Sequence, residues 1–155
     1  MVRQEPATRG RVTIEAKVSN AADRVLADNG HRSMDQIRQV TLRGIVDTGA
    51  AMLVLPESVA RLLGLPKTGE ANVRYADHRT ANRTIVGDVD VEILGRRNTF
   101  TAIVEPGRTD ALIGAIVLEA LDMLVDCRTQ TLHPRDPDRI IAEIEGLERD
   151  VAVVR

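Results

Sequence analysis

The chain has 155 residues and carries 21 Lys and Arg against 23 Asp and Glu, a formal net charge of -2. This near balance argues against a nucleic-acid or anionic-membrane binder, because both depend on an excess of basic side chains facing phosphate. Trp is absent and the chain has one Tyr and one Phe, so we expect a core of Val, Ile, Leu and Ala. The lone cysteine, Cys127, excludes an internal disulfide and indicates a reducing, cytoplasmic location.

Alternation of apolar and polar residues predicts strands in the first third of the chain. The segment from Val12 to Val18 alternates with period two, which is typical of a half-buried strand. Residues 20–33 contain Asp28-Asn29-Gly30 and predict a long turn. A second strand is expected from Gln39 to Val46, and it runs directly into Asp47-Thr48-Gly49-Ala50.

The middle of the chain predicts one helix and a group of strands. After the apolar run 52–55, Pro56 to Gly64 is a helix signature, because proline suits the first helical position and glycine the left-handed end. Strands are expected at residues 72–75, 82–94 and 98–104, with turns at 76–81 and 95–97 between them.

A short buried strand, Ala111 to Ile113, ends at Gly114 and precedes a helix over residues 115–121. Residues 124–126 and 131–132 predict a last strand pair. The stretch 111–125 is the most apolar in the chain, but it is interrupted by acidic residues and is too short to span a bilayer.

The sequence divides into a flexible N-terminus at residues 1–10, a mainly β domain at 11–134 and a C-terminal helical extension at 135–155. Asp136 can cap the last helix, and apolar residues recur along it at spacings of three and four: Ile140, Ile144, Leu147, Val151 and Val154. This face is expected to pack on its own domain or to pair with a partner chain.

Most catalytic patterns are missing from the sequence. There is no Gly-x-Ser-x-Gly elbow, the three histidines are far apart, and no glycine-rich phosphate loop is present, so we expect neither a metal nor an organic cofactor. The remaining candidate is Asp47-Thr48-Gly49-Ala50, between two apolar runs. By itself such a tetrapeptide is also compatible with an ordinary turn at the end of a strand.

The context of this motif resembles the retropepsin-like aspartic proteases, the clan of the retroviral proteases and their bacterial relatives. Three elements match in order over residues 11–134: Leu42 to Ala50, the helix from Pro56 to Gly64, and Ala111-Leu112-Ile113-Gly114 with the helix after it. The resemblance implies a mainly β half-barrel with one or two short helices and an aspartic endopeptidase activity on peptide or protein substrates.

The resemblance also implies roles for individual residues. Asp47 would be catalytic, and Thr48, Gly49 and Ala50 would form its turn. The strand Leu112-Ile113-Gly114 would pass beside that turn. The hairpin between these elements would fold over the substrate as a flap, with Tyr75 near a tip formed by Ala76, Asp77, His78 and Arg79.

One Asp-Thr-Gly supplies one carboxylate, whereas peptide hydrolysis by water needs a second acid that shares a proton with the first. No second Asp-Thr-Gly or Asp-Ser-Gly occurs in the chain. We therefore expect a two-fold homodimer in which Asp47 of each subunit faces its copy.

Two departures from the retroviral pattern keep alternatives open. Many retroviral enzymes have a salt bridge where this chain has Ala51 and Ala115, and their flaps carry glycines where this chain has Asp77-His78-Arg79. A non-catalytic dimerisation or peptide-binding module of the same fold is the first alternative. The second is a structural β domain in which Asp47 only caps a turn.

Overall fold

The computed structural model describes residues 11–144 of the protein. Its strands are β1 (Val12–Asn20), β2 (Gln39–Val46), β3 (Leu53–Pro56), β4 (Lys67–Arg74), β5 (Thr80–Ile93), β6 (Arg96–Glu105), β7 (Ala111–Ile113), β8 (Met123–Asp126) and β9 (Thr131–Pro134). Its α-helices are α1 (Ala21–Asp28), α2 (Glu57–Leu62) and α3 (Ala115–Ala120), and a 3-10 turn spans Met34–Gln36. The predicted mainly β fold is confirmed.

Seven strands form one sheet in the order β1-β2-β7-β3-β6-β5-β4. The second half of β1 also pairs with β5, from Lys17 opposite Glu92 to Asn20 opposite Val89, so the sheet closes on itself like a barrel. β2 runs parallel to β7, with Val46 opposite Ile113. This parallel pair brings the end of β2, and therefore the residue after it, beside the end of β7.

The core inside the closed sheet is aliphatic, as the composition predicts. Its largest fully buried hydrophobic side chains come from strands and from the ends of the short helices: Leu53, Leu55, Leu63, Ile93, Ile113 and Leu121. Phe100 packs only at the margin of this cluster. Branched side chains on alternating strand positions therefore fill the interior without an aromatic centre.

The long turn predicted for residues 20–33 is wrong in its first half, where α1 forms. The Asn20 side chain accepts a hydrogen bond from the Asp23 N–H at 3.1 Å and donates one to the Leu63 carbonyl at 2.9 Å. It therefore caps the helix and ties it to the domain. The turn residues Asn29 and Gly30 end α1, and Gly30 has the left-handed φ of 77° that glycine permits.

Asp23, in the first turn of α1, is 2% exposed, and its carboxylate accepts hydrogen bonds from two arginines. It takes hydrogen bonds from the Arg38 Nε at 2.8 Å, from the Arg38 N–H at 3.0 Å and from Arg32. The Arg38 side chain lowers the pKa of Asp23 from 3.8 to about 2, against the opposing effect of burial. The carboxylate is thus stable inside the domain only because its charge is paired.

The folded state should lose stability as the pH falls from about 4 to about 2, because Asp23 binds its proton more weakly when folded than when unfolded. Its contribution, about 2 kcal/mol, is complete above the unfolded pKa and disappears as the pH drops through the folded one. Urea unfolding at several pH values measures it. Asp23→Asn should flatten the slope over this range, whereas Asp28→Asn, at an exposed carboxylate of the same helix, should leave it in place. Equal slopes in both variants would contradict the assignment.

The C-terminal helix predicted from Asp136 does not begin there, since residues 135–144 form neither helix nor strand. Carbonyl groups that a helix would use accept hydrogen bonds from arginine side chains instead. Arg96 donates to the carbonyls of Asp136 and Arg139, and Arg135 donates to that of Ile141 at 2.9 Å. The rest of the predicted helix and the predicted flexible segment 1–10 lie outside the described residues.

Candidate active site

The chain leaves β2 at Val46 and enters a turn that begins with Asp47. The Asp47 N–H donates to the Ile113 carbonyl at 3.0 Å, which continues the β2–β7 ladder by one residue. The side chain is exposed, and its Oδ1 accepts from the Gly49 N–H at 2.9 Å. One carboxylate oxygen is therefore held by the turn, and the side chain as a whole remains accessible to solvent.

Main-chain hydrogen bonds, rather than the threonine hydroxyl, lock this turn. The Ala50 N–H donates to the Asp47 carbonyl at 3.2 Å. Thr48 is exposed, and within residues 11–144 its hydroxyl makes no hydrogen bond. A Cβ at Gly49 would lie 3.2 Å from Asp47 Oδ1, so glycine here leaves room for the carboxylate.

Gly114 is where the chain passes closest to the Asp47 turn. A Cβ on Gly114 would lie 2.4 Å from the Met52 carbonyl oxygen and 2.8 Å from that of Ala50. Directly after it, the Ala115 N–H donates to the Ala50 carbonyl at 2.7 Å, and the Ile116 N–H donates to the Ala51 carbonyl at 3.1 Å. The first N–H groups of α3, which have no acceptor within the helix, thus hold the turn in place.

The strand before Gly114 divides its side chains between the core and the site. Ile113 is fully buried among the core residues, whereas Leu112 is half-buried and faces the same groove as Asp47. Leu112, Ile113 and Gly114 therefore lie beside the turn, as the resemblance implies, but only Leu112 lines the groove.

The β4–β5 hairpin carries the residues expected at a flap tip. The Tyr75 N–H donates to the Arg79 carbonyl and the His78 N–H to the Tyr75 carbonyl, both at 2.9 Å. His78 adopts a left-handed φ of 68°, a conformation that is more common for glycine. The Asp77 carboxylate accepts from Arg79 Nε at 2.5 Å, so an ion pair bridges the tip.

Behind the tip, Tyr75 is fixed by two residues that local patterns did not single out. Its hydroxyl lies 2.7 Å from Glu105 Oε1, and Arg83 Nε donates to the hydroxyl at 3.1 Å and to Glu105 at 3.0 Å. The hydrogen bond to Glu105 raises the pKa of Tyr75, and Arg83 opposes the effect. These three residues come from the flap tip, β5 and β6, so no spacing in the sequence joins them.

Replacing Glu105 with Gln should lower the pKa of Tyr75, because the negative charge that disfavours tyrosinate is removed while the Arg83 cation stays. Tyr75 is the one tyrosine of a chain without Trp, so tyrosinate absorbance against pH reports on it directly. Glu119→Gln, at an exposed position on α3, is the matched control and should not shift the titration. An unchanged titration in the Glu105 variant would rule out this contact.

The turn and the hairpin face each other across a groove of about 850 Å³. The predicted site residues that line it are Asp47, Gly49, Ala50, Tyr75, Ala76, His78 and Leu112. Thr48, Asp77, Ile113 and Gly114 do not line it. The lining also includes apolar and charged residues that no sequence pattern singled out, among them Met52, Val54, Ile103, Arg74, Glu105 and Arg108.

Within residues 11–144, no group of three or more His, Cys, Asp or Glu side chains is placed to hold a metal ion. In the same part of the chain no helix is long and apolar enough to cross a membrane.

Comparison with known families agrees with this geometry. A family model described as "gag-polyprotein putative aspartyl protease" matches residues 34–120, more than half of the chain. The protein belongs to this aspartyl protease family, and its fold is retropepsin-like. The matched range includes the Asp47 turn, α2, the β4–β5 hairpin and β7. A search among curated proteins finds no match to the chain.

Proposed function

We propose that the protein is an aspartic endopeptidase that works as a homodimer and needs no cofactor. The observation that carries this proposal is that Asp47 and the β4–β5 hairpin line one groove, which is large enough for an extended peptide segment. Residues 11–134 would be the protease domain. Cys127 is an exposed free thiol, in keeping with a reducing compartment such as the cytoplasm.

The dimer follows from counting carboxylates in the groove. Besides Asp47, the groove contains Glu105, which is occupied by Tyr75 and Arg83 and cannot serve as the second acid. Asp47 and Thr48 are both exposed to solvent. Two such turns meeting at a two-fold axis would bring the two Asp47 side chains together and give Thr48 a hydrogen-bonding partner.

In this dimer, two adjacent carboxyls would share one proton, because both cannot easily be ionised at once. The ionised Asp47 would take a proton from a bound water as the water oxygen attacks the peptide carbonyl carbon. The protonated Asp47 would donate to the carbonyl oxygen, and a proton would then pass to the leaving amine as the C–N bond breaks. The hairpin would cover the peptide from the other side.

Incubation with a mixed peptide library, followed by mass spectrometry at acidic to neutral pH, tests the proposal. We expect cleavage, and we expect the rate per subunit to fall on dilution as the dimer dissociates. Sedimentation at the same concentrations shows whether the loss of activity follows the loss of dimer. A constant rate per subunit down to the monomer would contradict a shared site.

One observation favours a second candidate, the non-catalytic peptide-binding module. The Asp77–Arg79 ion pair bridges the tip of the hairpin, and the Tyr75–Glu105 contact ties the residue beside the tip to β6; together they would slow the exchange of peptide. Peptide binding by the dimer without any cleavage would support this candidate over the protease.

A further inference from the structure

Arg108 lies in the loop between β6 and β7, on the wall of the groove that contains Asp47. The loop turns at Gly107, which has a left-handed φ of 75°. Arg108 is half-buried. A cation in such a place loses part of its hydration, so its partners matter more than those of a fully exposed arginine.

The guanidinium of Arg108 is oriented but not neutralised. Its Nε donates to the Asp110 carbonyl at 2.7 Å, and neither terminal nitrogen donates a hydrogen bond to another residue of the described range 11–144. The Asp110 carboxylate lies near Arg43 instead, at 3.8 Å. Among residues 11–144, no carboxylate oxygen lies within 4.0 Å of an Arg108 side-chain nitrogen, so Arg108 forms no salt bridge there. Within the described part of the chain, the side chain therefore presents the donors of its two terminal nitrogens without an acidic partner.

The other charged side chains that line the groove are those of Asp47, Glu105 and Arg74. Of the two carboxylates, only Asp47 forms no salt bridge within residues 11–144, and the binding experiment below removes its charge. Glu105 is paired with Arg83 at 3.0 Å, so its charge is compensated. Arg74, at the end of β4, is exposed, lines the groove and likewise forms no salt bridge within the described residues. The floor between is apolar, formed by Met52, Val54, Ile103 and Leu112.

We infer that the groove selects peptides with an acidic side chain, whose carboxylate binds to the guanidinium of Arg108 while aliphatic neighbours rest on the apolar floor. The inference rests on the proposed function, since it names the substrate class of the same site. A planar guanidinium binds a carboxylate through two parallel, charge-assisted hydrogen bonds. The amide of Gln has only one acceptor oxygen and no negative charge, so it cannot form this pair. Exchanging Glu for Gln in the peptide should therefore weaken binding about 10 to 100-fold.

Binding is measured on the Asp47→Asn protein, so that cleavage cannot interfere. The probes are fluorescein-labelled decapeptides with a central Leu-Val pair, in which one Glu is moved through the flanking positions, each paired with a Gln and a Lys version. Anisotropy titrations should show a preference for Glu at one or two positions. Adding Arg108→Gln should abolish the preference, and Arg108→Glu should replace it with a preference for Lys. The matched control is Arg97→Gln, an exposed arginine of β6 outside the groove.

The outcomes separate this inference from the proposed function. Equal binding of Glu and Gln peptides, or no measurable binding of any Glu peptide, overturns the inference. So does a Glu preference that persists in Arg108→Gln, or an Arg108→Glu protein that dissociates into monomers without a change in the Glu-to-Gln ratio. A Glu preference that depends on Arg108, together with a wild-type protein that cleaves nothing, sustains the inference and contradicts the protease proposal alone.

Discussion

Exchanging Asp47 for Asn is expected to remove peptide cleavage and to leave the fold and the dimer in place. The Asn oxygen can still accept the hydrogen bond that Asp47 Oδ1 takes from the Gly49 N–H at 2.9 Å, so the turn should keep its shape. The amide cannot take a proton from water, and general acid-base catalysis contributes about 100 to 10,000-fold to such rates. We expect a loss of about 1,000-fold or more, measured on a peptide cleaved by the wild type.

The control for this variant is Asp88→Asn. Asp88 is exposed in β5, does not line the groove and has a φ of 54°, a conformation that Asn accepts readily. The Asp88→Asn protein should cleave the peptide at the wild-type rate. Mixing wild type with an excess of the Asp47→Asn protein should also reduce activity, because mixed dimers would contain one acid. Full cleavage by Asp47→Asn, or by the mixture, would contradict a site built from two Asp47 residues.

The sequence predicts the elements that depend on neighbours along the chain. Period-two alternation is enough to identify β1, β2, β5 and β6, because each strand places one face in the core. Glycine and proline identify the ends of α2, and Gly64 has the expected left-handed φ of 61°. The position of Asp47 next to β7 could be predicted only from the family resemblance. The parallel strands β2 and β7 are far apart in the sequence, so no local pattern shows that they pair.

What the sequence missed depends on contacts between distant residues. Helix α1 is stabilised by Arg38, which lies 15 positions after Asp23, and by the Leu63 carbonyl, 43 positions after Asn20. Its turn-like sequence therefore did not indicate a helix. At the other end of the chain, the apolar spacing after Asp136 is helical, but Arg96 and Arg135 bind the carbonyls of that segment. In both places tertiary hydrogen bonds override the local pattern.

Gly114→Ala should disturb the stability and the site together. The φ of -84° at Gly114 suits alanine, so the whole effect comes from the added methyl group. That carbon would lie 2.4 Å from the Met52 oxygen, 2.8 Å from the Ala50 oxygen and 2.9 Å from the Ala51 carbonyl carbon, all of which are backbone atoms. We expect a loss of about 3 kcal/mol in the free energy of unfolding, near the upper end for an overpacked site. Urea denaturation measures this loss.

The displaced backbone belongs to the Asp47 turn, so cleavage should fall further than stability explains. A shift of about 1 Å in a catalytic group can reduce a rate about 100-fold. Gly69→Ala is the control, since Gly69 is also a glycine without a positive φ and a Cβ there meets nothing within 4 Å. It should change stability by no more than about 0.5 kcal/mol. If Gly114→Ala were as stable and as active as Gly69→Ala, the close approach of β7 to the turn would not position Asp47.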